Sequence, residues 1–293
     1  MAAVSKKTIG EHVFDTLNHL ILAIFTLCTL YPVVYVLFSS LSDPSIAAST
    51  QKILLWPTGF SLEAYKLVVT NPKIVTGYTN TILIVGLGTT INVLLTTSLA
   101  YGLSRKWLYG RKTIMFIVTF SMMFGPGLIP MYLLVKNLGL YNNYLALILP
   151  NAVATWNLII TRTYFLGIPE SLEESAKIDG AKEHTILFKI MMPLAMPIIA
   201  VNVLFYSVGH WNSWFSASIY LRSRSMYPLS LILREILIQE QMGDMSTQSA
   251  NSVSIAENLK YAMIMISIIP ILCAYPFLQR YFVHGVMVGS IKG

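Results

Sequence analysis

The chain alternates between long apolar runs and short polar connections. Six runs reach the length of about 20 apolar residues that a helix needs to cross a bilayer: about 20–39, 77–101, 113–135, 144–165, 197–220 and 261–279. Pro32, Pro126, Pro130, Pro150 and Pro270 fall inside or at the edges of these runs. A helical bundle tolerates such kinks, because neighbouring groups re-satisfy the freed backbone. The pattern predicts an all-α, polytopic membrane protein with six transmembrane helices in a single domain over residues 1–293. The first run is too long for the apolar core of a signal peptide and no small-residue cleavage site follows it directly, so it reads as a retained helix. The stretch before it, "KKTIGEHVFDTLNHL", reads as a short amphipathic helix at the inner surface. No internal repeat is visible.

Composition agrees with this class. Hydrophobic residues make up 55% and charged residues only 11%, against about 25% charged in soluble domains. The net charge of +7 sits mainly in the connections, and no aromatic-plus-basic RNA motif accompanies it, so nucleic acid is not indicated. The connection 102–112 holds Arg105, Lys106, Arg111 and Lys112, whereas 136–143 holds only Lys136. Positive charge collects on the cytoplasmic side, which places 102–112, the connection 166–196 and both termini inside, and 40–76 and 221–260 outside. Cys28 and Cys273 each lie within an apolar run, without metal or redox spacing, and read as small core residues.

The connection between runs four and five is too polar to span. In "IPESLEESAKIDGAKEH", Ser171 and Glu174 have the spacing of a capping box. Leu172, Ala176 and Ile178 give a modest apolar side, and Asp179–Gly180 allows a sharp turn. A second helix over about 181–191 carries Ile186, Leu187 and Ile190, and Pro193 and Pro197 redirect the chain into run five. Two helices this short need something to pack against. The carboxylates Glu170, Glu173, Glu174, Asp179 and Glu183 favour a protein partner over an anionic lipid surface.

This stretch resembles the EAA loop of ABC-importer permeases, roughly "IPxxLxEAAxxDGA", about nine residues, then "LP". Ile168, Pro169, Leu172, Glu174, Ala176, Asp179, Gly180, Ala181 and Pro193 match it, while Ser175 and Met192 are mild departures. The run "FGPGLIPMYLLVKNLGLYNNYLALILPNAVATWNLIITRTYF" and the segment "HWNSWF" are similar to the permeases of oligosaccharide and polysaccharide importers. The resemblance implies a type I importer permease fold with a cytoplasmic coupling helix over 168–197, in a bacterial inner membrane. It implies coupling to an ATPase through Leu172, Glu174, Ser175, Ala176, Asp179, Gly180 and Ala181. The implied partners are a second related permease forming a heterodimer, two copies of an ATPase subunit and an extracytoplasmic solute-binding protein. No P-loop is present, and "YGRKT" at 109–113 lacks the required glycine spacing. ATP and Mg are therefore expected in the partner, and no cofactor in this chain.

A substrate path is expected where polar residues recur inside runs, since such residues tend to face a bundle interior or a wet passage. Asn202, Tyr206, His210, Ser213 and Trp214 fall on one helical face of run five, with Asn212 beside them. Asn151 and Trp156 supply a second set in run four. Aromatic faces with amides and imidazole suit a saccharide; for any one residue the competing role is a hydrogen bond to a neighbouring helix. Arg222, Arg224 and Arg234 in 221–260 are candidates for contact with a solute-binding protein. The competing readings are a permease for a non-sugar solute and an intramembrane enzyme. No Asp or Glu lies in any run, which argues against a catalytic carboxylate pair or a proton relay at membrane depth; Ser207 or Ser213 near His210 is the remaining catalytic candidate.

Overall fold

A computed structural model describes residues 8–43, 56–243, 258–274, 276 and 279. The chain sorts into two compact units, Met1–Thr70 with Gln239–Ile266, and Asn71–Ile238 with Ser267–Gly293.

The first unit contains α1 (Ile9–Leu41) and α2 (Glu63–Thr70). Thr8 and Glu11 form a reciprocal capping box that starts α1. From there one unbroken helix of 33 residues runs for about 50 Å. The separate amphipathic helix expected ahead of run one is thus merged into it; no Gly or Pro between His12 and Tyr31 would stop the helix. Its apolar side chains, from Ile9 through Val33, stay mostly exposed, as lipid-facing residues are when a chain stands alone. Near its C-terminal end the helix is tied down: Ser40 Oγ lies 2.7 Å from the Tyr65 hydroxyl, and Asn258 Nδ2 donates to the Ser42 carbonyl.

The second unit is built on α3 (Pro72–Ser104). Asn71 caps it and Pro72 opens it. Its buried side is a stripe of small and polar residues, Gly77, Thr81, Gly88, Asn92, Thr96 and Ala100, repeating every three or four positions with Ile74 and Ile84. Small residues let helix backbones approach closely in a membrane, and α3 packs along α7 (Thr155–Leu166) and α10 (Met196–Trp211). The opposite side, with Ile82, Leu87 and Leu95, is exposed.

Run three is not a continuous kinked helix. It divides into α4 (Arg111–Met123) and α5 (Leu128–Asn137), bent by 118°. The break is Phe124–Gly127, where Pro126 has no N–H to donate and Gly127 takes a φ of +77°. Run four also breaks, by 53°, between Leu145–Asn151 (α6) and α7. Run five becomes α10 and α11 (Trp214–Tyr220), separated at Asn212 and Ser213. The connection read as long and polar over 221–260 contains α12 (Leu229–Gly243), whose Leu229, Leu231 and Ile232 are buried; residues 244–257 lie outside the described residues. Run six is represented by the helix Asn258–Ala274. Residues 1–7 and 280–293, and hence both termini, also lie outside the described residues. Cys28 and Cys273 are exposed and not core: among the described residues, nothing covers the apolar surface they occupy.

Candidate functional site

The polar connection folds as an elbow of two helices, α8 (Glu170–Ile178) and α9 (Glu183–Leu194). Pro169 precedes α8 without a side-chain cap, so the expected Ser171–Glu174 capping box does not form. The helix begins two residues too early for it, and Ser171 lies inside the first turn. Gly180 turns the chain at φ +79°, a conformation that costs other L-residues about 1–2 kcal/mol. The Ala181 N–H then closes the end of α8 on the Ala176 carbonyl, at 2.9 Å. α9 extends beyond the expected 181–191 to Leu194, absorbs Pro193 through a π turn at Leu187–Met191, and meets α10 at 85°.

The acidic residues of the elbow divide into two groups. Glu173 is buried and pairs with Arg105, itself buried at the end of α3. The Arg105 guanidinium also donates to the Phe165 carbonyl at 3.3 Å and to Ser104 Oγ at 3.0 Å. It sits 4.9 Å from the Tyr101 ring centroid. Lys177 bridges Glu173 at 2.7 Å and Glu183 at 2.9 Å, and the Tyr101 hydroxyl donates to Glu183 at 2.8 Å. The result is a closed ring of charges joining α3, α8 and α9. Hydrogen bonds to Glu173 and Glu183 raise the Lys177 pKa. Partial burial acts to raise that of Glu183, but bonds from Lys177 and Tyr101 prevail and hold it below the ordinary value. At the surface Lys106 pairs with Glu170 at 2.8 Å and lowers its pKa. Three of the five carboxylates taken as partner-facing are therefore held by this chain. Glu174 and Asp179 are exposed and make no side-chain bond among the described residues. Leu172, Ser175 and Ile178 are exposed with them, Ile178 to 87%. Ala176 is buried and Ala181 half-buried, so both support the elbow from inside.

A second feature lies within the helices of the same unit. A cavity of about 440 Å³ is lined by residues of α3, α6, α7, α10 and α11 and their joints, including Asn92, Asn151, Asn157, Tyr206, His210, Asn212 and Ser213, with Phe205 and Phe215 as its aromatic walls. No Asp, Glu, Lys or Arg is among the lining residues. Asn92 Nδ2 lies 3.5 Å from the Asn151 carbonyl and 3.1 Å from His210 Nε2. Among the described residues, Asn92 Oδ1 and Ser213 Oγ are buried without a hydrogen-bond partner.

Of the expected path residues, Asn151, Tyr206, His210, Asn212 and Ser213 line this cavity; Asn202, Trp156 and Trp214 do not. Asn202 is fully buried and donates to Thr161 Oγ1 at 2.7 Å. Trp156 is 57% exposed. Trp214 lies beneath the Arg234 guanidinium, 3.4 Å from its ring centroid. Tyr206 also bonds Thr96 at 2.6 Å and accepts from the Ala154 N–H at 2.9 Å, so it joins helices as well as facing the cavity. The pairing of Arg105 with Glu173, and the place of Asn92 in the cavity wall, were not anticipated. For Asn92 a signal was present: the polar and small residues of run two repeat at helical spacing, as those of run five do.

A polytopic helical body with a polar cavity among its helices and a charged elbow mounted on them has the make-up of a membrane transport permease. The chain belongs to the family of binding-protein-dependent transport system inner membrane components, whose model matches residues 93–288. It is 41% identical over 285 residues to the polygalacturonan/rhamnogalacturonan transport system permease protein YtcP of Bacillus subtilis (strain 168), covering 97% of this chain and 99% of that protein. It is 38% identical over 287 residues to Protein LplC of the same organism, covering 98% and 97%. Among solved structures it is similar to a bacterial ABC transporter involved in the import of the acidic polysaccharide alginate, with 31% identity and a TM-score of 0.84 over 95% of this chain and 100% of that one. The fold expected from the sequence, an all-α importer permease, is that of the protein.

Proposed function

We propose that this chain is one of two related permease subunits of an ATP-driven importer that carries an oligo- or polysaccharide delivered by an extracytoplasmic binding protein. Two ATPase subunits hydrolyse ATP with Mg, and this chain binds no cofactor. Its termini and elbow lie in the cytoplasm. The observation that carries the substrate class is the cavity: amide, hydroxyl and imidazole groups between aromatic walls. Sugar hydroxyls both donate to and accept from such groups, and Phe205 and Phe215 offer faces for C–H surfaces. Full charges are absent from the lining, which disfavours tight binding of an ion. The drive comes from outside the chain. Closure of the ATPases moves the exposed face of α8, with Leu172, Glu174, Ser175 and Ile178, and the helices behind it shift between inward-open and outward-open states. The polygalacturonan and alginate transporters among its relatives favour an acidic saccharide; a neutral one is the alternative that the uncharged lining supports.

The test is uptake by vesicles holding the companion permease, the ATPase and the binding protein, supplied with labelled oligogalacturonide, a neutral oligosaccharide of equal length, or an amino acid. ATP-dependent uptake of either saccharide supports the reading, and uptake of the amino acid alone overturns it. Gly180→Val, which forces a branched residue into left-handed backbone, is expected to insert and assemble but to lose uptake per ATP hydrolysed. Unchanged uptake would remove the elbow from the mechanism.

A further inference from the structure

We infer that the buried Arg105–Glu173 pair is the mount through which the elbow drives α3, with Arg105 and Glu173 as positioning residues for transport. This rests on the reading that the elbow seats the ATPase, and goes beyond it by naming how motion leaves the elbow. α8 has nine residues and only Ala176 and Glu173 buried, so apolar packing holds it weakly. What holds it is directional bonding. Glu173 receives Arg105 on one oxygen and Lys177 on the other. Arg105 spends its remaining donors on the Phe165 carbonyl and Ser104, so one guanidinium joins α8 to the ends of both α3 and α7. Arg162 repeats the tie by donating to the Leu103 carbonyl at 2.9 Å.

A buried ion pair is a poor choice for stability alone, since similarly sized apolar residues do as well or better. It is a good choice for fixing orientation, because charges and forked donors tolerate few geometries. Beyond Arg105 the route is continuous. α3 bonds α10 through Thr96–Tyr206, Asn92–His210 and Thr89–Ser207, and Asn92, Tyr206 and His210 line the cavity. A displacement of α8 thus reaches the cavity wall through directional polar contacts that run alongside the apolar cluster around Leu103, Phe165 and Ala176.

The experiment reads access to the cavity and needs no knowledge of the saccharide. In a background with Cys28 and Cys273 replaced by serine, Ser216→Cys places a thiol at the cavity wall. Its labelling by a membrane-impermeant charged maleimide is timed in the full complex with the companion permease, ATPase and binding protein, with and without ATP and vanadate. In the parent, ATP is expected to change the labelling rate by about tenfold. In Glu173→Gln the change falls below about twofold while the ATPase still co-purifies and hydrolyses ATP. If Glu173→Gln does not assemble, the volume-matched, uncharged pair Arg105→Met with Glu173→Met replaces it, and the same loss of response is expected. An ATP response equal to the parent's in whichever variant assembles overturns the mount and leaves ATPase docking intact. A parent without co-purifying ATPase, or without an ATP response, overturns the coupling reading itself.

Discussion

Gly88 and Gly86 sit two residues apart on α3 and provide a controlled perturbation of the cavity wall. A Cβ built on Gly88 lies 2.5 Å from His210 Nε2 and 2.8 Å from Cδ2 and Cε1, whereas one on Gly86 meets nothing within 4 Å. To restore ordinary contact the His210 ring must retreat by about 1 Å. His210 is buried and its Nε2 lies 3.1 Å from Asn92 Nδ2, so the retreat breaks that bond. Overpacking costs about 1–3 kcal/mol and the lost bond about 1 kcal/mol. Replacing a helical glycine returns about 1 kcal/mol. Gly88→Ala should therefore destabilise by about 1–3 kcal/mol, while Gly86→Ala should be neutral or stabilising by up to about 1 kcal/mol. The difference of about 1–4 kcal/mol corresponds to a few degrees in the unfolding midpoint. The assay is thermal unfolding of the purified complex at one scan rate, since membrane complexes unfold irreversibly and only like scans compare. Equal midpoints for the two variants would refute the claim that α3 and α10 close on each other through Gly88 and His210.

Two further outcomes are expected. Asn142 holds left-handed backbone at φ 60°, and its Oδ1 accepts from the Arg222 and Ser223 N–H groups, both at 2.9 Å, while its Nδ2 donates to Ser223 Oγ. Asn142→Ala should cost about 2–4 kcal/mol and speed amide exchange at residues 220–224, and Asn142→Asp, which keeps both acceptor contacts, should have the smaller effect. The charge ring has a defined pH window. The Glu183 pKa is lowered from 4.5, so its contribution is complete above that value and lost as pH falls through the lower, folded one. The Lys177 pKa is raised from 10.5, so its contribution is complete below that value and lost as pH rises through the higher one. Protection of the elbow from protease should be flat between about pH 5 and 9 and fall in stronger acid and again in strong base; a step near neutrality would contradict the assignment.

The helices were legible in proportion to how far each depends on local pattern. Apolar length alone pointed to the helical runs, because a bilayer requires it of every span, and two of them stand as unbroken helices long enough to cross, α1 and α3. Where those runs break was half visible. Pro126 marked the place in run three, but a proline permits anything from a slight kink to the observed bend of 118°, and the neighbouring contacts choose. α12 was missed because Arg222, Arg224 and Arg234 drew the segment toward a solvated loop. Yet "LSLILREIL" places Leu229 and Ile232 three apart on one side, and those side chains are buried beside Gly77.

The elbow shows why a site can be found and still be misread. Its motif, turn and glycine are consecutive in sequence and were legible; the ion pair that ties it to the end of α3 joins residues 68 positions apart and was not. Glu173 and Glu174 are chemically identical and adjacent, but one step along a helix turns a side chain by about 100°. Glu173 shares its side of α8 with buried Ala176 and faces Arg105, while Glu174 faces out with Ile178. Helical phase, taken from the buried alanine, separates the two carboxylates where residue type cannot. A lever needs both: an outward face for a partner to push, and an inward attachment stiff enough to carry the push into the bundle. A loop with five free carboxylates would have the first without the second. The pairing of Glu170, Glu173 and Glu183 to Lys106, Arg105 and Lys177 converts it from a charged surface into a mounted part.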